Sequence, residues 1–190
     1  WIYGLHWGDP DINPGLRSVV DRFITPNVSA ETTCVEIGPG GGRWTRYLTG
    51  AQRLYAVDFH QEFLNELARN FSAPNITPIK NAGTNFPGVP RASVDFVFSF
   101  GLFVHLDLDL IEDYLRNMQA ILKPTAKVFI QYADKTSLEG KANRAFAVNT
   151  PTIMRALVEA MGYRILDEDT VTLPHSAMIL FTPDERPQLR

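Results

Sequence analysis

The stretch that most constrains this chain is Thr33 to Thr45, which reads Thr-Cys-Val-Glu-Ile-Gly-Pro-Gly-Gly-Gly-Arg-Trp-Thr. Residues Thr33 to Ile37 are short, β-branched and mostly apolar, the pattern of a strand buried on both faces of a parallel sheet. Glycines at 38, 40, 41 and 42 follow at once. They suit a backbone that must turn sharply and come within contact distance of a ligand that a Cβ would obstruct. A helix starting after the turn offers its unpaired N–H groups to the same ligand. The stretch therefore predicts a strand running into a nucleotide-binding turn. The dinucleotide fingerprint needs glycines at its first, third and sixth positions, and here the sixth is Arg43, so a pyrophosphate-bearing ligand is disfavoured.

The rest of the chain supplies the partners such a strand needs. Pro14 opens a helix with Leu16, Val19, Val20 and Phe23 on one face, and Pro26 ends it. After the turn a short helix runs through Arg46 to Leu48, and a second strand, Arg53 to Val57, ends at Asp58. A carboxylate at that end can accept hydrogen bonds from both hydroxyls of a ribose, or cap the helix His60 to Asn70, which turns Phe63, Leu64 and Leu67 inward. Phe59 can lie against a nucleobase or pack in the core. A third strand is expected at Ile76 to Lys80 and a fourth at Val94 to Phe100, followed by Gly101-Leu-Phe-Val-His105. A helix from Asp109 to Leu122 is closed by Lys123-Pro124, and Val128 to Tyr132 form a fifth strand. Residues 133–149 read as irregular. Thr150 and Pro151 then start a helix that Gly162 ends, and two strands, Tyr163 to Leu166 and Met178 to Thr182, close the pattern. Strands alternating with helices in this way predict a doubly wound α/β sheet with its ligand at the carboxyl ends of the strands.

Glu36-x-Gly38-x-Gly40-x-Gly42, Asp58, the run from Val94 through His105 and the order of elements together resemble the class I S-adenosylmethionine-dependent methyltransferases over residues 31–182. The resemblance implies a Rossmann-like fold with a seven-stranded, mostly parallel sheet, an antiparallel last strand and helices on both faces. It implies S-adenosylmethionine as cofactor, held by Glu36, Gly38, Gly40, Gly42, Asp58, Phe59, Thr84, Asn85 and Phe100. The family usually carries an aspartate in the loop after the third strand, to receive the adenine amino group. This chain has Asn81-Ala-Gly-Thr-Asn there, so Asn81, Thr84, Asn85 or backbone groups would take that contact, unless the loop is only a polar surface turn. His105 stands just beyond the fourth strand, where a general base would contribute on the order of 10²–10⁴-fold. Its other reading is a residue that organises the loop.

Residues 1–30 form an aromatic arm and first helix, read as a lid or as packing on the core; 31–182 the cofactor-binding domain; and 183–190 a loose tail. The arm Trp-x-Tyr-Gly-Leu-His-Trp-Gly-Asp-Pro and Phe-Ser-Phe-Gly-Leu-Phe-Val-His are similar to small bacterial sugar and polysaccharide O-methyltransferases. That likeness implies an oligosaccharide or other small-molecule acceptor. At its most specific it implies the anomeric hydroxyl of a 3-O-methylmannoside in mycobacterial methylmannose polysaccharide assembly. Trp7, Tyr132 and Asp134 are the expected acceptor residues, and Asp134 is the candidate ligand should magnesium assist. The alternatives are methylation of another small molecule and a non-catalytic methyltransferase-like binding subunit.

Composition narrows the partners. With 190 residues the chain suits one domain, and a formal net charge of −3 gives no general pull toward nucleic acid. No apolar run reaches membrane-spanning length, and the opening residues lack the order of a signal peptide. The single cysteine, Cys34, falls inside the first strand, so a cytoplasmic protein is the simplest expectation. Monomer and homodimer are both compatible with the sequence.

Overall fold

The computed structural model describes residues 2–184, so Trp1 of the arm and residues 185–190 of the expected tail lie outside the described part. Seven strands, β1 (Thr33–Ile37), β2 (Arg53–Asp58), β3 (Ile76–Lys80), β4 (Val94–Ser99), β5 (Leu122–Ala133), β6 (Tyr163–Asp169) and β7 (Ser176–Pro183), form one sheet in the order β3-β2-β1-β4-β5-β7-β6. β7 runs antiparallel to both its neighbours, while β1 to β5 pair in parallel. The chain winds from β1 to one side through β2 and β3, then crosses to β4 on the other side. The carboxyl ends of β1 and β4 therefore flank the switch point where such sheets bind ligands.

Among the described residues six α-helices flank the sheet: α1 (Pro14–Val19), α2 (Thr45–Leu48), α3 (Gln61–Asn70), α4 (Leu108–Met118), α5 (Leu138–Ala142) and α6 (Pro151–Ala160). Alternation along each strand divides the core in two. Val35, Ile37, Val97, Val128 and Ile130 join α4 and α6 residues such as Ile111, Leu115, Met154 and Val158 in one cluster. Cys34, Phe96, Phe98 and Phe129 join Leu16, Val19, Phe23 and Leu48 from α1, the turns after it and α2 in the other. Period-two strands thus serve two helix layers at once. Burial also pushes the Cys34 thiol up to about 12, consistent with an inert packing residue.

Several boundaries differ from the sequence expectations, each for a local reason. The first helix is capped by Asn13, whose Oδ1 accepts the Leu16 N–H at 3.1 Å, but it relaxes into a π turn over Val20–Ile24 and a 3₁₀ turn over Thr25–Asn27 that holds Pro26. α4 ends at Met118, and Lys123-Pro124 lie inside β5. The β4–β5 register jumps from Val94↔Leu122 to Phe96↔Lys127, and the extra residues of β5 in that interval leave Pro124 at the irregularity, where a missing N–H is tolerated. Lys123 pairs with Asp95 across this point at 2.7 Å. Residues 133–149 include the short helix α5, and Pro183 belongs to β7 rather than to a tail. Thr150 and Pro151 start α6 as expected, with the Thr150 hydroxyl accepting the Ile153 N–H at 3.2 Å.

Candidate cofactor and acceptor site

The glycine turn leaves β1 with the Gly38 N–H donating to the Val57 carbonyl at 2.9 Å, which joins the ends of β1 and β2. Gly38 and Gly40 adopt φ of 72° and 54° and stay partly exposed. Gly42 has a different purpose. It is buried with φ 99°, and a Cβ there would overlap the Phe71 ring and lie 3.1 Å from Leu67 Cδ1, so its close approach is to the end of α3. Gly41 is likewise buried, under Tyr3 and Glu66. Gly38, beside Leu102, and Gly40, beside Tyr3, are the partly exposed glycines of the turn, while Gly42 packs on the end of α3.

Glu36 is buried directly beneath this turn, and its Oε2 accepts the Thr45 hydroxyl at 2.6 Å. Burial pushes its carboxyl up to about 8; the Thr45 hydrogen bond works against that shift and the nearby Asp58 charge adds to it. Glu36 thereby fastens the end of β1 to the first residue of α2 and sets the span of the turn between them. Asp58 lies at the end of β2, with Oδ1 accepting the His60 N–H at 2.8 Å. Burial raises its carboxyl above the ordinary range, while the N–H groups of His60, Gly40 and Phe59 hold it down. His60 is the N-cap of α3 and no side chain caps that helix, so Asp58 braces the β2–α3 connection beside Gly40 rather than capping the helix. Phe59 is 56% exposed, which removes the core-packing alternative.

At the end of β3, Asn81 is buried and donates through Nδ2 to the Gly83 carbonyl at 2.6 Å and to Tyr114 Oη at 3.3 Å. Its Oδ1 is buried without a partner among the described residues. Thr84 and Asn85 are engaged within the protein. Asn117 Nδ2 donates to Thr84 Oγ1 at 2.9 Å, and Asn85 Oδ1 accepts the Ala82 N–H at 2.9 Å. Of the three candidates in this loop, only Asn81 shows an uncommitted buried acceptor.

Across the switch point, Phe100 packs on Trp44 with ring centroids 4.4 Å apart. Gly101 N–H donates to Gln131 Oε1 at 2.8 Å, and Gln131 Nε2 donates to Ser176 Oγ at 2.7 Å, so β4, β5 and β7 are tied together at their ends. Sequence reading passed over Gln131 because an apolar strand gives one polar residue no special mark. His105 closes a 3₁₀ turn, Phe103–His105, exposed, with Nδ1 2.9 Å from the Ala145 carbonyl. A carbonyl only accepts, so Nδ1 carries the proton and Nε2 is the acceptor atom in the neutral ring. The edge of Phe146 lies between His105 and His175, at 5.4 Å and 5.6 Å. His175 is half-buried, and burial lowers its pKa.

Two expected acceptor residues are not available. Tyr132 is fully buried and donates its hydroxyl to Glu168 Oε1 at 3.1 Å, because alternation along β5 turns it toward the α6 layer. Asp134 is buried and accepts both the N–H and the hydroxyl of Thr136, at 2.8 and 2.6 Å, shaping the turn that leaves β5. Among the described residues no three His, Cys, Asp or Glu side chains gather to hold a metal ion.

The arm lies on the glycine turn. Tyr3 donates its N–H to Glu66 Oε1 at 3.1 Å and packs its ring on Phe63 at 5.0 Å and Trp7 at 5.2 Å. Trp7 stays 60% exposed beside His6, with centroids 4.0 Å apart. Arg46 pairs with Asp9 and, at 3.2 Å, with Asp11, whose Oδ1 accepts the Tyr47 hydroxyl at 2.7 Å. None of the described helices is long and apolar enough to cross a membrane.

Comparison with known proteins agrees with this fold. Residues 34–125, from β1 through the start of β5, match the family model described as a methyltransferase domain. Among solved structures, an S-adenosylmethionine-dependent methyltransferase from Aquifex aeolicus superposes with a TM-score of 0.73 at 21% identity, covering 93% of this chain and 90% of that one. A complex of DhpI with S-adenosylhomocysteine gives 0.75 at 20% identity over 96% and 90%. The CcbJ methyltransferase from Streptomyces caelestis gives 0.72 at 15% identity over 93% and 99%. No curated protein matches the chain. Residues 34–125 are thus similar to a methyltransferase domain, and the chain has the Rossmann-like fold of the class I S-adenosylmethionine-dependent methyltransferases.

Proposed function

We propose that this methyltransferase uses S-adenosylmethionine to methylate a hydroxyl of a sugar. The observation that carries the cofactor half is the juxtaposition of Asp58 with Gly40 at the switch point. A carboxylate there receives the two hydroxyls of a ribose lying over the partly exposed Gly38 and Gly40. Phe59 offers an exposed ring to the adenine, and the unpartnered Asn81 Oδ1 accepts its amino group, which supplies the donor that this buried oxygen lacks. The residues therefore fit the cofactor's nucleoside half. When bound, the sulfonium supplies an activated methyl carbon.

His105 Nε2 takes the proton of the acceptor hydroxyl, with the Ala145 carbonyl holding the ring in the tautomer that leaves this atom basic. His6 and Trp7 support a sugar acceptor, since exposed rings stack on the apolar faces of hexoses. A methylated mannoside with a free anomeric hydroxyl is the first acceptor to test. In this reading the arm is a lid over the acceptor, and the chain acts on a small molecule or oligosaccharide rather than on nucleic acid.

The test is incubation with isotopically labelled S-adenosylmethionine and a panel of free and methylated mannosides, other hexoses and non-sugar alcohols, with and without magnesium, read by mass spectrometry. Label in a mannoside supports the proposal. Label only in a non-sugar compound rejects the sugar assignment and keeps methyl transfer. Cofactor binding without turnover of any acceptor points to a binding subunit.

A further inference from the structure

Arg43 occupies the position where a dinucleotide-binding turn keeps its third glycine, and none of the roles above uses it. Its side chain does not run out to solvent; the residue is 7% exposed. The guanidinium carbon lies 5.4 Å from the Trp44 ring centroid and 5.5 Å from that of Phe100. Nη1 donates to the Gly8 carbonyl at 3.3 Å. On two other sides the neighbours are glycines: a Cβ placed on Gly4 would be 3.6 Å from Arg43 Nε, and one on Gly101 would be 3.9 Å from Nη2. The guanidinium thus lies between the arm and the mouth of β4, one residue beyond the open turn.

Its charge is not matched by an ion pair among the described residues. The neighbouring Arg46 has Asp9 and Asp11, but no carboxylate among the described residues forms an ion pair with Arg43. Asp9 attracts it electrostatically but is committed to Arg46, which itself repels Arg43. Arginine has five N–H donors in a planar fork, and among the described residues a single carbonyl answers them. A buried charge is ordinarily paired, because desolvation is otherwise uncompensated. On the Gly4 and Gly101 sides no Cβ stands against the guanidinium. Burial also draws the Arg43 pKa down to about 10, which leaves it cationic at neutral pH.

We propose that Arg43 is the carboxylate receptor of this site, and that the ligand supplies the counter-charge the protein withholds. A carboxylate matches the fork with two parallel hydrogen bonds, which a lysine ammonium at the same place would not reproduce. Two sources present this chemistry: the amino-acid end of the cofactor, in the branch that rests on the cofactor reading above, and an acidic acceptor such as a uronic acid. In either case the arm, through the Gly8 carbonyl, helps hold the guanidinium in place, so carboxylate binding and arm position are linked.

The experiment is calorimetric titration of wild type, Arg43→Gln and Arg43→Lys with three probes: S-adenosylhomocysteine; 5′-methylthioadenosine, which has the nucleoside but no amino-acid end; and sodium acetate added to protein saturated with 5′-methylthioadenosine. Thermal melts confirm that each variant is folded. The wild-type preference for S-adenosylhomocysteine over 5′-methylthioadenosine should shrink at least tenfold in Arg43→Gln, with Arg43→Lys between, if the carboxylate comes from the cofactor. Unchanged S-adenosylhomocysteine binding with loss of a wild-type acetate response assigns the carboxylate to the acceptor. Both responses unchanged in folded Arg43→Gln overturn the proposal. Should that variant not fold, the wild type decides: no preference for S-adenosylhomocysteine over 5′-methylthioadenosine together with no acetate response rejects the carboxylate site. Wild-type binding of 5′-methylthioadenosine in that case keeps the nucleoside reading intact, whereas binding of neither nucleoside rejects both.

Discussion

Glu36 Oε2 accepts the hydroxyl of Thr45 at 2.6 Å, beneath the turn that separates them by nine residues. The bond links a raised carboxyl to the architecture of the site, and it has a pH signature. Folded Glu36 is raised to about 8 from an ordinary value of 4.5, so the folded protein holds a proton that the unfolded chain releases. Its contribution to stability is full below about 4.5 and is lost as pH rises through about 8. Ligand-free protein should therefore melt at a lower temperature at pH 8.5 than at pH 6, and Glu36→Gln should reduce that difference. Equal slopes in wild type and variant would show that Glu36 ionises normally in the folded state.

Gly42→Ala should be among the most damaging single changes in the turn. It forces a side chain into φ 99° and against the Phe71 ring. Backbone strain of ~1–3 kcal/mol and overpacking of ~1–3 kcal/mol together give a loss of roughly 2–6 kcal/mol by denaturant unfolding. The same substitution at Gly50, where a Cβ meets nothing within 4 Å, should change stability little.

Asn81→Ala should weaken S-adenosylhomocysteine binding about tenfold while Thr84→Ala leaves it nearly unchanged, because only Asn81 keeps an uncommitted buried oxygen. Equal effects from both would relocate the adenine contact to the loop backbone.

His105→Ala should lower kcat by on the order of 10²–10⁴ with whichever acceptor proves active, with cofactor affinity unchanged. His105→Gln preserves the loop's hydrogen-bonding capacity without the base. If it retains full kcat, His105 organises the loop through Ala145 rather than moving a proton.

The parts of this fold legible in the sequence are those with a local signature. Alternating and continuous apolar runs marked β1, β2 and β4, and Thr150-Pro151 marked the start of α6. Glycine spacing located the turn, but composition alone could not divide Gly38 and Gly40, which stay partly exposed, from Gly41 and Gly42, which are buried against the arm and α3. That division depends on Tyr3, Glu66 and Phe71, which are distant in sequence. Tyr132 illustrates the same limit. Its position in β5 was read correctly, yet which face it occupies follows from sheet register and from Glu168 in β6. Lys123-Pro124 looked like a helix stop, and the irregular β4–β5 pairing admits it into a strand instead. Arg43 was noted for the glycine it replaces; its burial between Trp44 and Phe100 comes from the arm folding back.

The most direct measurement is calorimetric titration of the folded protein with S-adenosylhomocysteine, repeated for Asp58→Ala. The account predicts one site per chain in the wild type and affinity at least tenfold weaker in the variant, equivalent to about 1.4 kcal/mol. Wild-type binding that Asp58→Ala leaves untouched would contradict the placement of the ribose at β2. No binding to intact wild type would contradict the cofactor site itself.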